Sequence, residues 1–318
     1  MKRRFQTIGL TGKHTDPKVE ESMRLLVPHL LDTGRSVLLD ESVSIDFGPL
    51  PVIRRSTAAL ASESDLLVAI GGDGTMLYAN RIAVGADLPL LGVNRGRLGF
   101  LADIGTDEML DRVAEVLDGN YEEEHRLMLQ AQILRGDQVV EGTALNDIVL
   151  QRRETGRMLD FETWIDGLYV NTHGGDGLVV ATPTGSTAYA LSGGGPILHP
   201  GVEAIALVPI CPHTLSDRPL VVSANASIDV RLVEHADTSS EVICDGRSLG
   251  ELLPGDTLRI TRAEPIAILI HPLDHDYYRI LRSKLHWGRG NRGQSGDNSG
   301  APNSGPASSD KPGDGVSG

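Results

Sequence analysis

Aromatic side chains are scarce, only 4% of the 318 residues, so any core must be built from Val, Leu, Ile and Ala, and a 40% apolar content allows a substantial one. Cysteine is scarcer still. Cys211 and Cys244 are the two present and neither belongs to a Cys-x-x-Cys pair, which argues against a disulfide framework or a thiolate zinc site. Free thiols in a reducing compartment, the cytoplasm, are the expectation. Basic residues are outnumbered, 29 against 43 acidic, for a formal net charge of −14. This argues against non-specific nucleic-acid binding and docking on an anionic membrane, but not against phosphorylated substrates held in a local basic pocket or by a metal ion. No window approaches the roughly 20 apolar residues of a membrane-spanning helix. The opening MKRRFQTIGLTGKHTD is basic but lacks the apolar stretch of a secretory signal. There is no Walker A loop anywhere.

Strand and helix patterns alternate from residue 5 to about residue 118. FQTIGL, SVLLD, DLLVAI and LPLLGVN read as strands, PKVEESMRLLVPHLLDTG and TMLYANRIAV as helices. This predicts an α/β N-terminal domain, 1–119, with a Rossmann-like parallel sheet. After TDEMLDRVAEVLDG, a helical junction, the text changes to short β-type runs broken by Gly, Asn, Asp and Pro. It predicts a β-rich domain over 120–273, a sandwich or pair of stacked sheets. DYYRILRSKLHW returns to helix, and 274–287 is expected to pack back on the first domain. From Gly288 to Gly318 the composition falls to Gly, Ser, Pro, Asn and Asp, which predicts a disordered tail. Its GRGNRG matches a dinucleotide fingerprint only formally, since no strand precedes it and no helix follows.

Four stretches could carry chemistry. LLVAIGGDGTMLYA ends an apolar strand in glycines and starts a helix near Thr75, a suitable place for an anion, yet Asp73 puts a carboxylate into the turn. Asp73 could instead be an ordinary helix cap. ATPTGSTAYALSGGGPI offers hydroxyls, bare backbone amides and one tyrosine ring that could stack on a base, or it is a long polar surface loop. ALNDIVLQR sets Asn146 and Asp147 between apolar residues, where the pair could hold a ribose diol or adenine edge or could form a turn. GGDGLVVATP, with Asp176, is by itself a hairpin signal. No residue stands out as a metal ligand.

Together GGDGTML, VNRGRLGFLAD, LNDIVL, DGLVVATPTGSTAYALSGGGPI and CPHTLSDRPLV resemble the NAD kinases of bacterial type, in order and spacing, from about residue 5 to Trp287. The long Thr/Ser/Gly motif is the specific one, since lipid kinases and phosphofructokinase-like enzymes share the first. The resemblance implies an active site between the two domains. It implies transfer of the γ-phosphoryl group of ATP, or of another phosphoryl donor, to the 2′-hydroxyl on the adenosine side of NAD. It also implies a divalent metal, usually magnesium, and a homodimer or homotetramer. By motif position, Gly71, Gly72, Gly74 and Thr75 form the phosphate turn and Asp73 the general base. Asn146 and Asp147 resemble the pair that holds adenosine, and Thr187, Ala188, Tyr189, Ala190, Leu191 and Ser192 the loop around adenine. Asp176 corresponds to an acid near the nicotinamide, and Arg157 to an NAD contact. Arg247 stands where many relatives carry Gln, and Gly174 where close relatives often carry Arg. The missing side chain at 174 leads us to expect that NADH is accepted as well as NAD. Competing readings are a lipid kinase of the diacylglycerol kinase type and a non-catalytic dinucleotide sensor. The first lacks a Gly-Asn-Asp-Phe run here, and the second would have no need of Asp73.

Overall fold

The computed structural model describes residues 3–13, 16–96, 99–153, 158–214, 216–233 and 240–287. In its first part, strands β1 (Thr7–Gly12), β2 (Ser36–Asp40), β3 (Val52–Arg55), β4 (Leu66–Gly71) and β5 (Leu90–Asn94) alternate with helices α1 (Pro17–Asp32), α2 (Thr57–Glu63) and α3 (Asp73–Ala83). Helix α4 (Met109–Leu117) follows. α1 starts where the Asp16 carboxylate accepts the Lys18 N–H (2.9 Å) and Pro17 presets the first turn. Val19, Met23, Leu26, Val27 and Leu30 bury one face at helical spacing, and the chain leaves through Gly34 at φ 77°. β4 and β5 are buried almost throughout, and apolar up to the closing Asn94 of β5, because helices cover both faces of a parallel sheet. β3 and α2 were not legible in the sequence. VIRR exposes its two central residues and shows no apolar alternation.

The remaining strands are β6 (Tyr121–Arg126), β7 (Leu129–Arg135), β8 (Gln138–Ala144), β9 (Asp147–Arg152), β10 (Leu159–Ile165), β11 (Leu168–Gly175) and β12 (Gly177–Ala181). They continue with β13 (Ala204–Ile210), β14 (Leu220–Ser223), β15 (Ile228–Leu232), β16 (Ser240–Cys244), β17 (Arg247–Leu252), β18 (Thr257–Arg262) and β19 (Ala267–Pro272). Helix α5 (Tyr189–Ser192) is one turn, and α6 (Tyr277–Leu285) ends the described chain. Two six-stranded antiparallel sheets result, β11-β10-β15-β18-β7-β8 and β14-β13-β12-β9-β16-β17. They stack through alternate residues, among them Leu129 and Ala131, Leu159 and Phe161, Ile148 and Leu150, and Leu178 and Val180. The residues between these, Val149, Val179 and Ala181, face the other way and pack on Ala190 of α5.

The first sheet runs β3-β2-β1-β4-β5-β19-β6. It is parallel except for β6, which pairs antiparallel with β19, and β19 itself lies parallel to β5. Both strands fall within the 120–273 range read as β-rich, yet they complete the α/β sheet. β19 (AILIHP) is buried along its whole length, as an interior strand of a parallel sheet must be. α6 follows it, with Lys284 over the Phe100 ring and Tyr277 edge-on to His199. The tail read as disordered, 288–318, lies outside the described residues.

Candidate active site

β4 ends in Gly71, and α3 begins two residues later. Gly71 must be glycine because the Thr75 side chain occupies the place of its β-carbon. Gly72 is the N-cap residue and provides no side-chain cap. Asp73 is therefore the first helical residue, earlier than the sequence suggested, and it does not cap the helix. Its carboxylate turns instead to the segment after β5, where Oδ2 accepts the Phe100 N–H (3.1 Å) and Oδ1 the Leu101 N–H (3.0 Å). Two fixed donors orient both oxygens. A cavity of about 470 Å³ opens at this turn, lined by Gly12, Lys13, Ser42, Gly72, Gly74, Thr75 and Tyr78. Lys13, read only as part of a turn, brings a cation beside the helix N-terminus. That pairing of ammonium and bare amides suits an anion.

Asn146 and Asp147 lie at the start of β9, against the hairpin turn between β16 and β17. Asp245 occupies that turn at φ 47°, and its carboxylate accepts N–H bonds from Leu145 (2.8 Å), Asn146 (2.8 Å) and Asp147 (3.3 Å). Asp245 was not singled out in the sequence, although CDGR carries the Asp-Gly signature of such a turn. Burial, and then the Asp245 charge, push the Asp147 carboxyl up to about 7. Burial raises Asp245 as well, against the pull of its three N–H partners. Asp147 can thus donate a hydrogen bond when protonated and accept when ionised, close to neutral pH.

A second cavity, about 360 Å³, is lined by Asn146, Asp147, Ala188, Tyr189, Asp245 and Gly246, and its wall is completed by Leu77. Leu77 belongs to α3, one turn beyond Asp73. Further along the same helix, Tyr78, Arg81 and Ile82 line a third cavity with Arg247, Thr57 and Ala58. Burial, and then the facing Arg247 charge, lower the Arg81 pKa. Two guanidiniums that repel each other across a cavity are well placed for a shared anion.

The Thr/Ser/Gly loop does not work as its composition suggested. The Thr182 hydroxyl donates to Leu145 O (2.6 Å), Ser186 to Pro183 O (2.6 Å) and Thr187 to Thr184 O (3.1 Å). Gly185 packs on the Asn146 carbonyl so closely that a β-carbon has no room. The hydroxyls build the loop and pin it to the Asn146 turn, while Ala188 and the half-exposed Tyr189 ring face the cavity. Ala190 is buried in the core, Leu191 is half-buried and Ser192 is exposed.

GGDG is not a hairpin. β11 and β12 belong to different sheets, and Asp176 sits at the crossing, ion-paired with Arg152 at 3.0 Å. Gly177 is at φ 152°, against Leu150 O, and only glycine fits there. Gly174 lies within β11, opposite Asp160. Arg157 lies outside the described residues.

Two family models match the chain, the ATP-NAD kinase N-terminal domain over residues 10–124 and the ATP-NAD kinase C-terminal domain over 145–271. The NAD kinase of Thiobacillus denitrificans is 49% identical over 286 residues, covering 90% of this chain and 98% of that protein. The NAD kinase of Pseudomonas putida F1 is 44% identical over 286 residues, covering 89% and 96%. Among solved structures, yeast NADH kinase complexed with NADH superposes with a TM-score of 0.84 at 27% identity, covering 91% of this chain and 90% of that one. An NAD kinase from Archaeoglobus fulgidus in complex with ATP gives 0.69 at 25% identity, covering 88% and 98%.

Proposed function

The chain belongs to the NAD kinase family, and from its cleft we infer how it moves the γ-phosphoryl group of ATP to the 2′-hydroxyl of the adenosine ribose of NAD. The observation that carries this reading is Leu77. It walls the cavity of Asn146, Asp147 and Tyr189 from the helix whose first residue is Asp73. A ribose held there is one helical turn from a fixed carboxylate.

In this reading Tyr189 stacks on adenine, and Asn146 and Asp147 hold the adenosine hydroxyls and ring edge. Asp73 accepts the 2′-hydroxyl proton as the oxygen attacks, help typically worth about 10²–10⁴ in rate. The Phe100 and Leu101 amides keep the carboxylate from turning away. Lys13, Gly72, Gly74 and the α3 N-terminus receive the phosphates of the donor, and Arg81 with Arg247 takes further negative charge. Among the described residues the turn offers carboxylate and hydroxyl oxygens, from Asp73, Thr75 and Ser42, and neither imidazole nor thiol. That donor set fits magnesium, with Asp73 supplying the protein's share and the donor phosphates most of the rest. Once bound, the ion would neutralise charge developing between the phosphoryl groups.

NADH is accepted as well as NAD, by the open side at Gly174. A homodimer or homotetramer suits the exposed apolar residues on two edge strands, Leu168, Tyr169 and Val170 of β11 and Leu220 and Val221 of β14. Among the described residues no helix is long and apolar enough to cross a membrane. The exposed free thiol of Cys211 suits the cytoplasm. A lipid-kinase reading is not favoured, since the matched models cover both halves of the chain. The deciding experiment is incubation of purified protein with ATP, magnesium and NAD, followed by assay of NADP. Formation that depends on all three supports the reading, and none overturns it.

A further inference from the structure

Three side chains away from the glycine turn converge on one point. His271, on β19, and His275, just before α6, both bring Nδ1 to the same oxygen, Asp103 Oδ2, at 2.9 and 2.6 Å. The two rings stack with centroids 3.9 Å apart. One ligand-type atom from each residue falls within 4.8 Å of the others. The second Asp103 oxygen, Oδ1, is buried and has no hydrogen-bond partner among the described residues. On the far side of the His271 ring, Nε2 faces Glu124 Oε2 at 3.3 Å, and Glu124 is held by Arg126 at 2.6 Å. We propose that Asp103, His271 and His275 form a binding site for one transition-metal dication of the zinc class.

Two imidazole nitrogens and a carboxylate oxygen are a borderline-soft donor set, suited to zinc, cobalt or nickel and poorly suited to magnesium, which takes oxygen ligands. The site is thus distinct in chemistry from any ion carried by the donor phosphates. A carboxylate opposite the far nitrogen of a metal-bound histidine fixes its tautomer and leaves the near nitrogen free to ligate, and Glu124 stands in that position. The two rings share one Asp103 oxygen, and the other has no partner among the described residues. His271 is only 2% exposed, whereas His275 at 12% leaves a path for entry and for a water as fourth ligand. The three ligands come from the segment after β5, from β19 and from the approach to α6, so the ion would tie these together. Asp103 is two residues from Leu101, whose amide holds Asp73.

Protons compete for the same nitrogens. Burial lowers the His271 pKa, but the Asp103 and Glu124 carboxylates at its two nitrogens outweigh this and hold it up to about 9. The test is therefore made at alkaline pH. The full chain, stripped with a chelator, is titrated with Zn²⁺ by calorimetry, with and without excess Mg²⁺. One ion per chain, unaffected by magnesium, is expected. Asp103→Asn and His275→Ala should each weaken binding at least about tenfold, whereas His125→Ala, at an exposed histidine paired with Glu123, should not. Should either site variant fail to fold, zinc-edge X-ray absorption on the unmodified chain reads the ligands directly, and two imidazoles with a carboxylate are expected. Absence of saturable binding, unchanged affinity in folded His275→Ala, or a ligand set without histidine would each overturn the assignment.

Discussion

Gly99 lies flat against the Asp73 carboxylate, and a β-carbon on Gly99 would overlap Oδ1. The carboxylate and the segment after β5 are therefore built as one unit, closed by the Phe100 and Leu101 amides. Gly99→Ala must push the carboxylate or the segment aside. With the adenosine cavity untouched, we expect kcat to fall by roughly ten- to a hundredfold, since displacements near 1 Å cost that much, with KM for NAD changed little. Steady-state kinetics check this, and an unchanged kcat would show that the Asp73 position is not critical.

Asp73→Asn removes the basic charge. It also leaves one of the two amides, Phe100 or Leu101, facing an NH₂ group. We expect kcat to drop about 10²-fold or more with NAD still bound. The clashing amide should also cost about 1 kcal/mol of stability, visible as a lower Tm. Retention of near wild-type kcat would remove Asp73 from the role of base.

Asp147 should make stability depend on pH. Its carboxyl titrates near 7 in the folded protein against 3.8 for an unperturbed group, so the native state keeps a proton that the unfolded chain releases. Native stability is thus favoured below the lower value and lost as pH rises towards the upper one, by roughly 4 kcal/mol or less. Asp147→Asn abolishes this titration. The Tm of the variant relative to wild type should therefore climb between about pH 4 and pH 7 and level off above. A difference that stays flat would mean that Asp147 is ionised throughout.

The glycine turn, the Asn–Asp pair and Tyr189 were legible in the sequence because each depends on residue types at short, fixed spacing. What escaped depends on distance or on backbone. The amides that hold Asp73 come from positions 27 and 28 residues away and carry no side-chain signature. The hydroxyls of the Thr/Ser/Gly loop looked available to a ligand, but a buried loop must satisfy its own carbonyls first, and those of Thr182 and Ser186 are spent there. β6 reads YEEEHR, too acidic for a strand by pattern, yet an edge strand whose middle is largely exposed accepts it. The Asp103–His271 contact spans 168 residues and exists only because β19 inserts beside β5.

Gly174 bears on the choice between oxidised and reduced dinucleotide. It lies in the strand β11 with ordinary strand geometry, its carbonyl accepting the His213 N–H at 2.9 Å, so no turn demands glycine there. A β-carbon would meet Asp160 Oδ1 at 2.9 Å and no backbone atom, so only that carboxylate need shift. The position could therefore carry a larger residue, and glycine leaves open the space that residue would fill. An arginine there would set a fixed positive charge and a planar fork beside the dinucleotide. Without it the site has less means of separating a charged, planar nicotinamide from a neutral, puckered one. His173, the neighbouring candidate for such discrimination, is engaged with Asp217 at 3.0 Å and stacked on Phe161. We expect kcat/KM values for NAD and NADH within about tenfold, a gap of roughly 1.4 kcal/mol in transition-state binding. Gly174→Arg should widen that gap while leaving the rate with NAD within a few-fold of wild type. Parallel assays of both dinucleotides at equal concentration decide the matter, and undetectable phosphorylation of NADH by the wild-type chain would refute it.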